Sequence, residues 1–392
     1  MQTKQAGEIA GLNVLRIINE PTAAAIAYGV KVDEPKRVLV YDLGGGTFDV
    51  TMINVDGGAI KVIATGGDHH LGGVDWDTAL AEYALGAYNE QNGTSYPLDE
   101  DIRLKNRLLI DAELKKKQLT AKESVKWNID YEGRSARVEI TRELFDSLTS
   151  NLLEETVEAT RRVIEIAEQK GYKGFDEILL VGGSSRMPQI KARLDREFGC
   201  DAKLSDPDEC VAKGAAIYAM NEAYRIAVRE YEEGDEIVKP EPIRGDRTTV
   251  VNVTSKTYGT DVLVNGEPRV QNIIFANTSL PTKRTMEFST SVENQQAISL
   301  KVVESDFTNP DTESIVEEKF CTVLEEHTLK LTKQWPKGTP VSVTYAIDNE
   351  GVLHVNAFVD KDVIDFDLKI TGVKNQEELE ASKEAVEKTV VE

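Results

Sequence analysis

The spacing of hydrophobic residues changes once along this chain of 392 residues, and the change separates two kinds of structure. Up to residue 231, apolar residues follow both strand-like and helix-like periods. From residue 248 to about residue 371 they alternate in short runs rich in Val, Ile and Thr. The stretch between them, 232–249, is acidic and contains two prolines. We therefore expect a mixed α/β part, a linker and an all-β sandwich.

Within the α/β part, β-type runs separated by glycine-rich turns come first and longer helical patterns follow. A buried strand at 175–181 then enters a glycine pair and is followed by two more helices, which is typical of a β-turn-α unit. The other predicted elements are a helical subdomain at 75–117, a hairpin at 125–140, one long amphipathic helix from Thr141 to about Gln169, and a helix that begins at Asn375.

Composition limits the classes of partner and compartment. The chain has 46 basic and 68 acidic residues, a formal charge of −22, so we expect neither nucleic acid nor an anionic membrane as a main partner. No apolar run approaches the ~18 residues that span a bilayer, and the N-terminus lacks the apolar core of a signal peptide. Three cysteines without a C-x-x-C pair fit a reducing compartment. These features together predict a soluble cytoplasmic protein.

A triple glycine is the sharpest sign of a binding site. Residues 42–49 read Asp-Leu-Gly-Gly-Gly-Thr-Phe-Asp, a strand that turns into a second strand. Consecutive glycines allow backbone N–H groups to converge on a phosphate, Thr47 offers a hydroxyl, and Asp42 and Asp49 could hold hydrated Mg²⁺. No helix with Lys-Ser/Thr follows, so the segment is not a Walker loop. A tight hairpin with acidic flanks is the simpler alternative.

Three further segments could complete a nucleotide site. The turn from Gly182 to Arg186 joins a strand to a helix N-terminus, where amides favour a phosphate or nucleoside, although a close-packed turn would look the same. On a helix, the side chains of Glu113, Lys116, Lys117 and Thr120 share one face that could cradle a ribose and purine, or simply meet solvent. Glu20 precedes a proline-started helix, where it could orient a water or only complement the helix dipole.

Taken together, these segments resemble the seventy-kilodalton heat-shock (DnaK-like) molecular chaperones, and the resemblance covers nearly the whole chain. The matching segments of the first part are 18–25 (INEPTAAA), 42–49 (DLGGGTFD), 70–77 (HLGGVDWD), 181–188 (VGGSSRMP) and 206–216 (DPDECVAKGAA). Those of the second part are 280–283 (LPTK), 288–290 (FST) and 351–355 (GVLHV).

The resemblance implies an actin-like (ribonuclease-H-like) ATPase portion, a linker, a peptide-binding β-sandwich and the start of a helical lid. The corresponding ranges here are 1–231, 232–249, 250–373 and 374–392. It implies ATP or ADP with Mg²⁺ as cofactors, with Mg²⁺ near Asp42 through water and with Glu20, Asp42 and Thr47 in catalysis. The nucleotide-binding residues that it implies are Gly44, Gly45, Gly46, Thr47, Gly73, Glu113, Lys116, Lys117, Thr120, Gly182, Gly183, Ser184, Arg186 and Asp208.

The chain also departs from the family pattern. The family's ATPase starts with another lobe that carries a first phosphate loop and a lysine, and this sequence begins after that lobe, so we expect a truncated ATPase portion with impaired hydrolysis. Losing one charge-stabilising donor costs roughly 10²–10³ in rate. Asn252 stands where the family linker has an aspartate, and the lid is reduced to its first turns.

The resemblance also implies partners. Phe288, Ile298 and Leu300 match groove positions that hold extended hydrophobic segments of unfolded polypeptides, although they could equally be core residues of alternating strands. A J-domain co-chaperone and a nucleotide exchange factor are further expected partners.

Two other functions stay open at this point. One is a nucleotide-independent peptide-binding protein whose first part is a relic ATPase scaffold. The other is a filament-forming actin relative or a sugar kinase that shares the phosphate hairpin, and the all-β part argues against it.

Overall fold

The computed structural model describes residues 2–29, 35–56, 59–233, 240–241, 249–349, 351–368 and 382. The chain divides into two compact units, one of residues 19–218 with 247–249, and one of residues 1–18, 219–246 and 250–392. Almost all of the predicted C-terminal helix and most of the predicted linker lie outside the described residues. The predicted domain boundaries stay predictions.

The first 233 residues contain both helices and strands, interspersed along the chain, which confirms the predicted mixed α/β character. None of the described helices is both long and apolar enough to span a bilayer. In chain order the elements are α1 (Gln2–Ile9), α2 (Glu20–Gly29), β1 (Lys36–Leu43), β2 (Phe48–Asp56), β3 (Ala59–Asp68), α3 (Gly73–Asn92), α4 (Ile102–Ala121), β4 (Ser124–Tyr131), β5 (Arg134–Thr141), α5 (Arg142–Leu148), α6 (Ser150–Gln169), β6 (Glu177–Val181), α7 (Pro188–Phe198), β7 (Lys203–Leu204) and α8 (Cys210–Glu233).

The first unit, 19–218 with 247–249, is built on a sheet in which its strands follow the order β7-β6-β1-β2-β3. Strands β1, β2 and β3 form an antiparallel meander, whereas β6 pairs with β1 in parallel and places Val181 opposite Asp42. The carboxyl ends of two parallel neighbours lie at one edge of a sheet, where α/β proteins commonly bind ligands. The turns that follow β1 and β6 therefore meet at that edge.

Helices cover this sheet and complete one hydrophobic core. Helix α6 packs on β2 and β3, and α3 packs on α4 and on the separate β4–β5 hairpin. Strand residues such as Tyr41 and Phe48 share the buried core with Trp76 and Leu80 of α3 and with Trp127 of β4. Burial of these apolar side chains, large aromatic ones among them, stabilises the unit.

The predicted long helix from Thr141 to Gln169 is two helices, which corrects that expectation. Thr149 ends α5 with φ −111° and ψ 11°, a conformation outside the helical range. Its buried hydroxyl is 2.9 Å from the Phe145 carbonyl oxygen, to which it donates, and the Gln189 side chain amide donates to the same hydroxyl at 3.1 Å. A tertiary hydrogen bond thus stabilises the break, and α6 starts at Ser150.

The second unit contains the strands expected of the all-β part. After the short β8 (Thr249–Val251), which falls at the division between the two units, they are in chain order β9 (Thr257–Val264), β10 (Glu267–Ile274), β11 (Thr282–Ser289), β12 (Gln295–Ser305), β13 (Ile315–Val316), β14 (Thr322–Trp335), β15 (Pro340–Ile347), β16 (Leu353–Val359) and β17 (Asp362–Asp367).

Two antiparallel sheets enclose the core of this unit, the arrangement of a β-sandwich. One sheet has the order β13-β10-β9-β12-β14 and the other β11-β15-β16-β17. Leu300 and Val302 from the first sheet and Val343 and Val355 from the second belong to one buried cluster. Tyr345 is also buried, and its hydroxyl donates to the Gly259 carbonyl oxygen at 2.9 Å, which joins the two sheets.

We expect Gly214→Ala to destabilise the first unit. A Cβ at Gly214 in α8 would lie 1.7 Å from the Ala23 carbonyl oxygen in α2, a backbone atom that cannot yield easily. Overpacking of this kind costs about 1–3 kcal/mol in the free energy of unfolding, which urea titration followed by tryptophan fluorescence would measure.

The matched control is Gly86→Ala in α3, where a Cβ would meet no atom within 4 Å. That change should leave stability unchanged or raise it by up to about 1 kcal/mol, since alanine favours a helix over glycine. Equal effects of the two substitutions would contradict the α2–α8 contact.

Candidate functional site

The three glycines form the tip of the β1–β2 hairpin at the edge of the sheet where β1 and β6 end. The Gly44 amide donates to the Thr47 carbonyl oxygen at 3.0 Å, which closes the turn. None of the three glycines has a positive φ. A Cβ at Gly45 or Gly46 would meet no atom within 4 Å. The turn itself therefore does not require glycine at these two positions, and glycine instead leaves space beside the backbone.

The N-terminus of α3 anchors this loop through its backbone. The Gly73 amide donates to the Gly44 carbonyl oxygen at 3.0 Å, and the Val74 amide donates to the Gly45 carbonyl oxygen at 2.8 Å. A Cβ at Gly72 would lie 2.5 Å from the Gly46 nitrogen, so here glycine is required by close approach. With its carbonyl groups bound to α3, the loop keeps a fixed conformation, and its exposed residues Gly45, Gly46 and Thr47 remain accessible.

Carboxylates gather next to the loop. Asp42 is buried at the end of β1, and burial raises its pKa to about 7, with further increases from the negative charges of Glu20 and Asp49. Burial also raises the pKa of Asp49, and Glu20 adds to this while His69 opposes it. Glu20 itself lies exposed in the first turn of α2. These are hard oxygen donors of the type that Mg²⁺ prefers.

The carboxylates do not form a complete protein cage for a metal. Among the described residues, no three His, Cys, Asp or Glu side chains are grouped so that they could hold an ion. Mg²⁺ commonly keeps several waters and binds one or two carboxylates together with phosphate oxygens. The donor set around Asp42 fits that mode, and the expected water-mediated contact stays a prediction.

The second glycine pair lies directly against the first loop. Gly182 has φ +80°, and a Cβ there would lie 2.4 Å from the Leu43 carbonyl oxygen and 2.5 Å from Asp42 Oδ1. A 3₁₀ turn, Gly183–Arg186, follows and leads into α7. A Cβ at Gly183 would meet no atom within 4 Å. The two glycine segments are therefore neighbours, with free space beside Gly45, Gly46 and Gly183.

Lys116 of α4 reaches the same edge of the first unit. Its side chain is buried, and Nζ donates to the Gly73 carbonyl oxygen at 2.6 Å and to Asp77 Oδ2 at 2.8 Å. A Cβ at Gly73 would lie 2.2 Å from Ser184 Oγ and 3.0 Å from Lys116 Nζ, so α3, α4 and the 3₁₀ turn converge on Gly73. The ammonium group therefore lies beside Gly73, the residue whose amide holds the glycine loop at 44–46.

The other residues of the predicted α4 face have different surroundings. Glu113 and Lys117 are exposed and form an i,i+4 ion pair of 2.6 Å, and the Thr120 hydroxyl lies 3.4 Å from the Lys116 carbonyl oxygen. The predicted face thus divides into a buried cation and an exposed ion pair.

Arg186 and Asp208 are exposed at the second loop and are paired with each other. The carboxylate holds the guanidinium in place, and a held guanidinium plane can stack on a flat ring.

Two residues of this site were missed by reasoning from the sequence. Ser185 is buried, donates through Oγ to the Val181 carbonyl oxygen at 2.6 Å and accepts from the Leu43 amide at 3.3 Å, so it connects β6 to β1. Asp77 pairs with Lys116. Its position four residues after Gly73 on a helix is a signal that could have identified it.

The three predicted groove residues lie in the sandwich. Phe288 and Ile298 are partly buried and pack against its core, whereas Leu300 is 3% exposed and belongs to that core. Ile298 and Leu300 are two residues apart on β12, so their side chains lie on the same face of the strand. Of the three side chains, Phe288 and Ile298 are the more accessible.

The sequence matches the family model described as Hsp70 protein over residues 1–392. The match covers both the glycine loops and the sandwich.

We expect Asp42 to make the stability of the chain, without nucleotide or Mg²⁺, fall as pH rises from about 4 to about 7. Its pKa is about 7 in the folded protein against 3.8 as the ordinary value, so the folded state binds the proton more tightly across this range. Asp42→Asn should remove the part of the slope that Asp42 contributes, while Asp49 keeps its own part, and should raise the free energy of unfolding at pH 8 by up to about 4 kcal/mol.

Urea titrations at pH 4.5, 6 and 8 would measure the slope. The control is Asp56→Asn, which alters an exposed carboxylate at the end of β2 and should leave the slope as in the wild type. If Asp42→Asn changes the slope no more than Asp56→Asn does, the assignment is contradicted.

Proposed function

The chain belongs to the Hsp70 family, and on that premise we propose that residues 1–392 bind ATP or ADP with Mg²⁺ and capture extended hydrophobic segments of unfolded polypeptides. Proteins of this family are chaperones that bind ATP and unfolded polypeptides. The proposal assigns the two activities to the two parts of this chain, the glycine loops and the β-sandwich.

One observation carries the nucleotide assignment. Gly45, Gly46 and Gly183 have ordinary φ values, and a Cβ at any of them would meet nothing within 4 Å. Neither backbone conformation nor packing within the chain therefore demands glycine there. A ligand that lies against the backbone amides does demand it, and a phosphate chain is the ligand that amide nests favour.

The assignment of individual residues is the one that the family resemblance implies. Gly44, Gly45, Gly46 and Thr47 would bind the outer phosphates through amides and a hydroxyl. Asp42, with Glu20 nearby, would hold Mg²⁺ through water, and the ion would neutralise phosphate charge. The residues proposed for the nucleoside are Gly73, Glu113, Lys116, Lys117, Thr120, Gly182, Gly183, Ser184, Arg186 and Asp208.

For hydrolysis, this chain's residues would act by positioning. Glu20, exposed beside Asp42, is suited to orient an attacking water, and the loop amides would stabilise charge on the phosphate. The family's ATPase also uses a first phosphate loop with a lysine, which are not among the residues assigned here. Residues 1–392, assayed without that loop and lysine, should hydrolyse ATP slowly, since one absent charge-stabilising donor costs roughly 10²–10³ in rate.

The sandwich is the proposed polypeptide site. Phe288 on β11 and Ile298 on β12 present partly exposed apolar surface next to strands that can offer backbone hydrogen bonds to an extended segment. Leu300 would support this surface from the core. A J-domain co-chaperone and a nucleotide exchange factor are the proposed regulatory partners.

We expect the double variant Gly45→Ala/Gly46→Ala to raise the Kd for a slowly cleaved ATP analogue with Mg²⁺ by tenfold or more. The two methyl groups would occupy the space beside the loop while meeting no atom of the chain, so stability should not fall. Calorimetry of binding and of unfolding would measure both quantities, and phosphate release would report the slow turnover.

Gly86→Ala is the control for this experiment, because it adds a methyl group away from the loops. Unchanged affinity in the double variant would contradict the loop assignment. Absence of nucleotide binding by the wild type would contradict the proposed function, and rapid hydrolysis would contradict the expected impairment.

For the sandwich, we expect Ile298→Ser to weaken binding of a fluorescently labelled hydrophobic peptide several-fold, because it replaces accessible apolar surface with a hydroxyl. Fluorescence anisotropy would measure the affinity. Val363→Ser, at an exposed position of β17 in the other sheet, is the control and should have no effect.

The release rate of the same peptide, measured with and without ATP, distinguishes the two candidate functions. A faster rate with ATP supports an ATP-linked chaperone. An unchanged rate supports the nucleotide-independent peptide-binding protein.

A further inference from the structure

The structure contains a buried ion pair that the assignment of the site does not explain. Asp77 lies in the first turns of α3 and is 6% exposed, and its partner Lys116 on α4 is 7% exposed. Removing two charges from water costs several kcal/mol per ion, and apolar replacements of such pairs are often no less stable. Stability alone is thus a weak reason for a carboxylate at this position.

The geometry indicates what Asp77 does to Lys116. Asp77 Oδ2 accepts from Lys116 Nζ at 2.8 Å, and the Gly73 carbonyl oxygen accepts from the same nitrogen at 2.6 Å. An ammonium group has three donors, so two are engaged within the described part of the chain. The carboxylate and the carbonyl together hold Nζ at one place beside Gly73.

The carboxylate itself is only half satisfied. Asp77 Oδ1 is buried and has no hydrogen-bond partner among the described residues. A buried oxygen without a partner is costly, so it is not what packing alone would retain. Such a cost is tolerated where the carboxylate orients a second side chain that acts in a binding site.

The hydrogen bonds that hold the glycine loop at 44–46 involve neither side chain of this pair, which contacts the anchoring residue Gly73 only through its carbonyl oxygen. Gly44 and Gly45 are held by the backbone amides of Gly73 and Val74, and neither hydrogen bond uses a side chain. Asp77 can therefore affect the nucleoside side of the site without displacing the loop.

We propose that Asp77 is a positioning residue of the nucleotide site: it fixes the Lys116 ammonium against the Gly73 carbonyl so that Lys116 contacts the sugar and base of the bound nucleotide. This inference rests on the proposed function, since it specifies how one assigned residue is oriented. Asp77 itself does not touch the ligand.

The test compares two ligands in the full chain, Mg²⁺–ATP and inorganic tripolyphosphate, which shares the phosphates and lacks the nucleoside. In Asp77→Asn, the Kd for ATP should rise about tenfold, the effect of losing one charge-assisted contact. The Kd for tripolyphosphate should stay within about twofold, because the loop is anchored separately. Asp77→Glu, which keeps the charge, should recover part of the ATP affinity.

Glu82→Gln is the matched control, an exposed carboxylate on the same helix whose removal should change neither Kd. A double-mutant cycle with Lys116→Gln adds a second readout, and Asp77→Asn should add no further loss once Lys116 is changed. If Asp77→Asn does not fold, the same cycle is made with Asp77→Ser, which also removes the charge.

Unchanged ATP affinity in Asp77→Asn would show that Asp77 has no role in binding. Equal losses of affinity for ATP and for tripolyphosphate would show a structural role, and either result would overturn the positioning role. Additive losses in the double-mutant cycle would also overturn it. A wild-type chain that binds neither ligand would instead overturn the proposed function, and this inference with it.

Discussion

The parallel pairing of β1 with β6 is the constraint on which the candidate site depends. It places Val181 opposite Asp42, so two glycine segments that are far apart in the sequence leave the sheet at the same edge. Gly182 then lies so close to Leu43 and Asp42 that a methyl group could not fit between them. Without this register the two loops would be separate turns, and neither alone would make a strong case for a ligand.

The glycines of this site have two different physical roles. A Cβ at Gly72 would lie 2.5 Å from the Gly46 nitrogen, and a Cβ at Gly182 would lie 2.4 Å from the Leu43 carbonyl oxygen. The fold therefore requires glycine at both positions. Gly45, Gly46 and Gly183 are not constrained in this way and adjoin open space. The first group brings the loops together and the second keeps their surface free. A site of this kind is rigid in its framework and open where a ligand would lie.

Much of the fold could be predicted from periodicity, because strands and amphipathic helices bury one face each. The mixed α/β part, the β4–β5 hairpin and the short antiparallel strands all follow from that rule. The break at Thr149 did not, since it depends on Gln189, a partner from another helix. The burial of Lys116 follows the local pattern of α4, since it continues the buried stripe of Leu108 and Ala112 at spacings of four, but its pairing with Asp77 of α3 does not. Long-range partners of this kind leave no local pattern.

The crowding of negative charge around Asp42 has a consequence for the energetics of ligand entry. Because its pKa is raised to about 7, this carboxyl group keeps a proton in part of the molecules in a neutral solution without a cation. A divalent ion bound nearby favours the ionised form and displaces that proton into the solvent. Uptake of the cation and loss of a hydrogen ion are then a single coupled event, and the heat measured for it includes the ionisation heat of whichever buffer receives the proton.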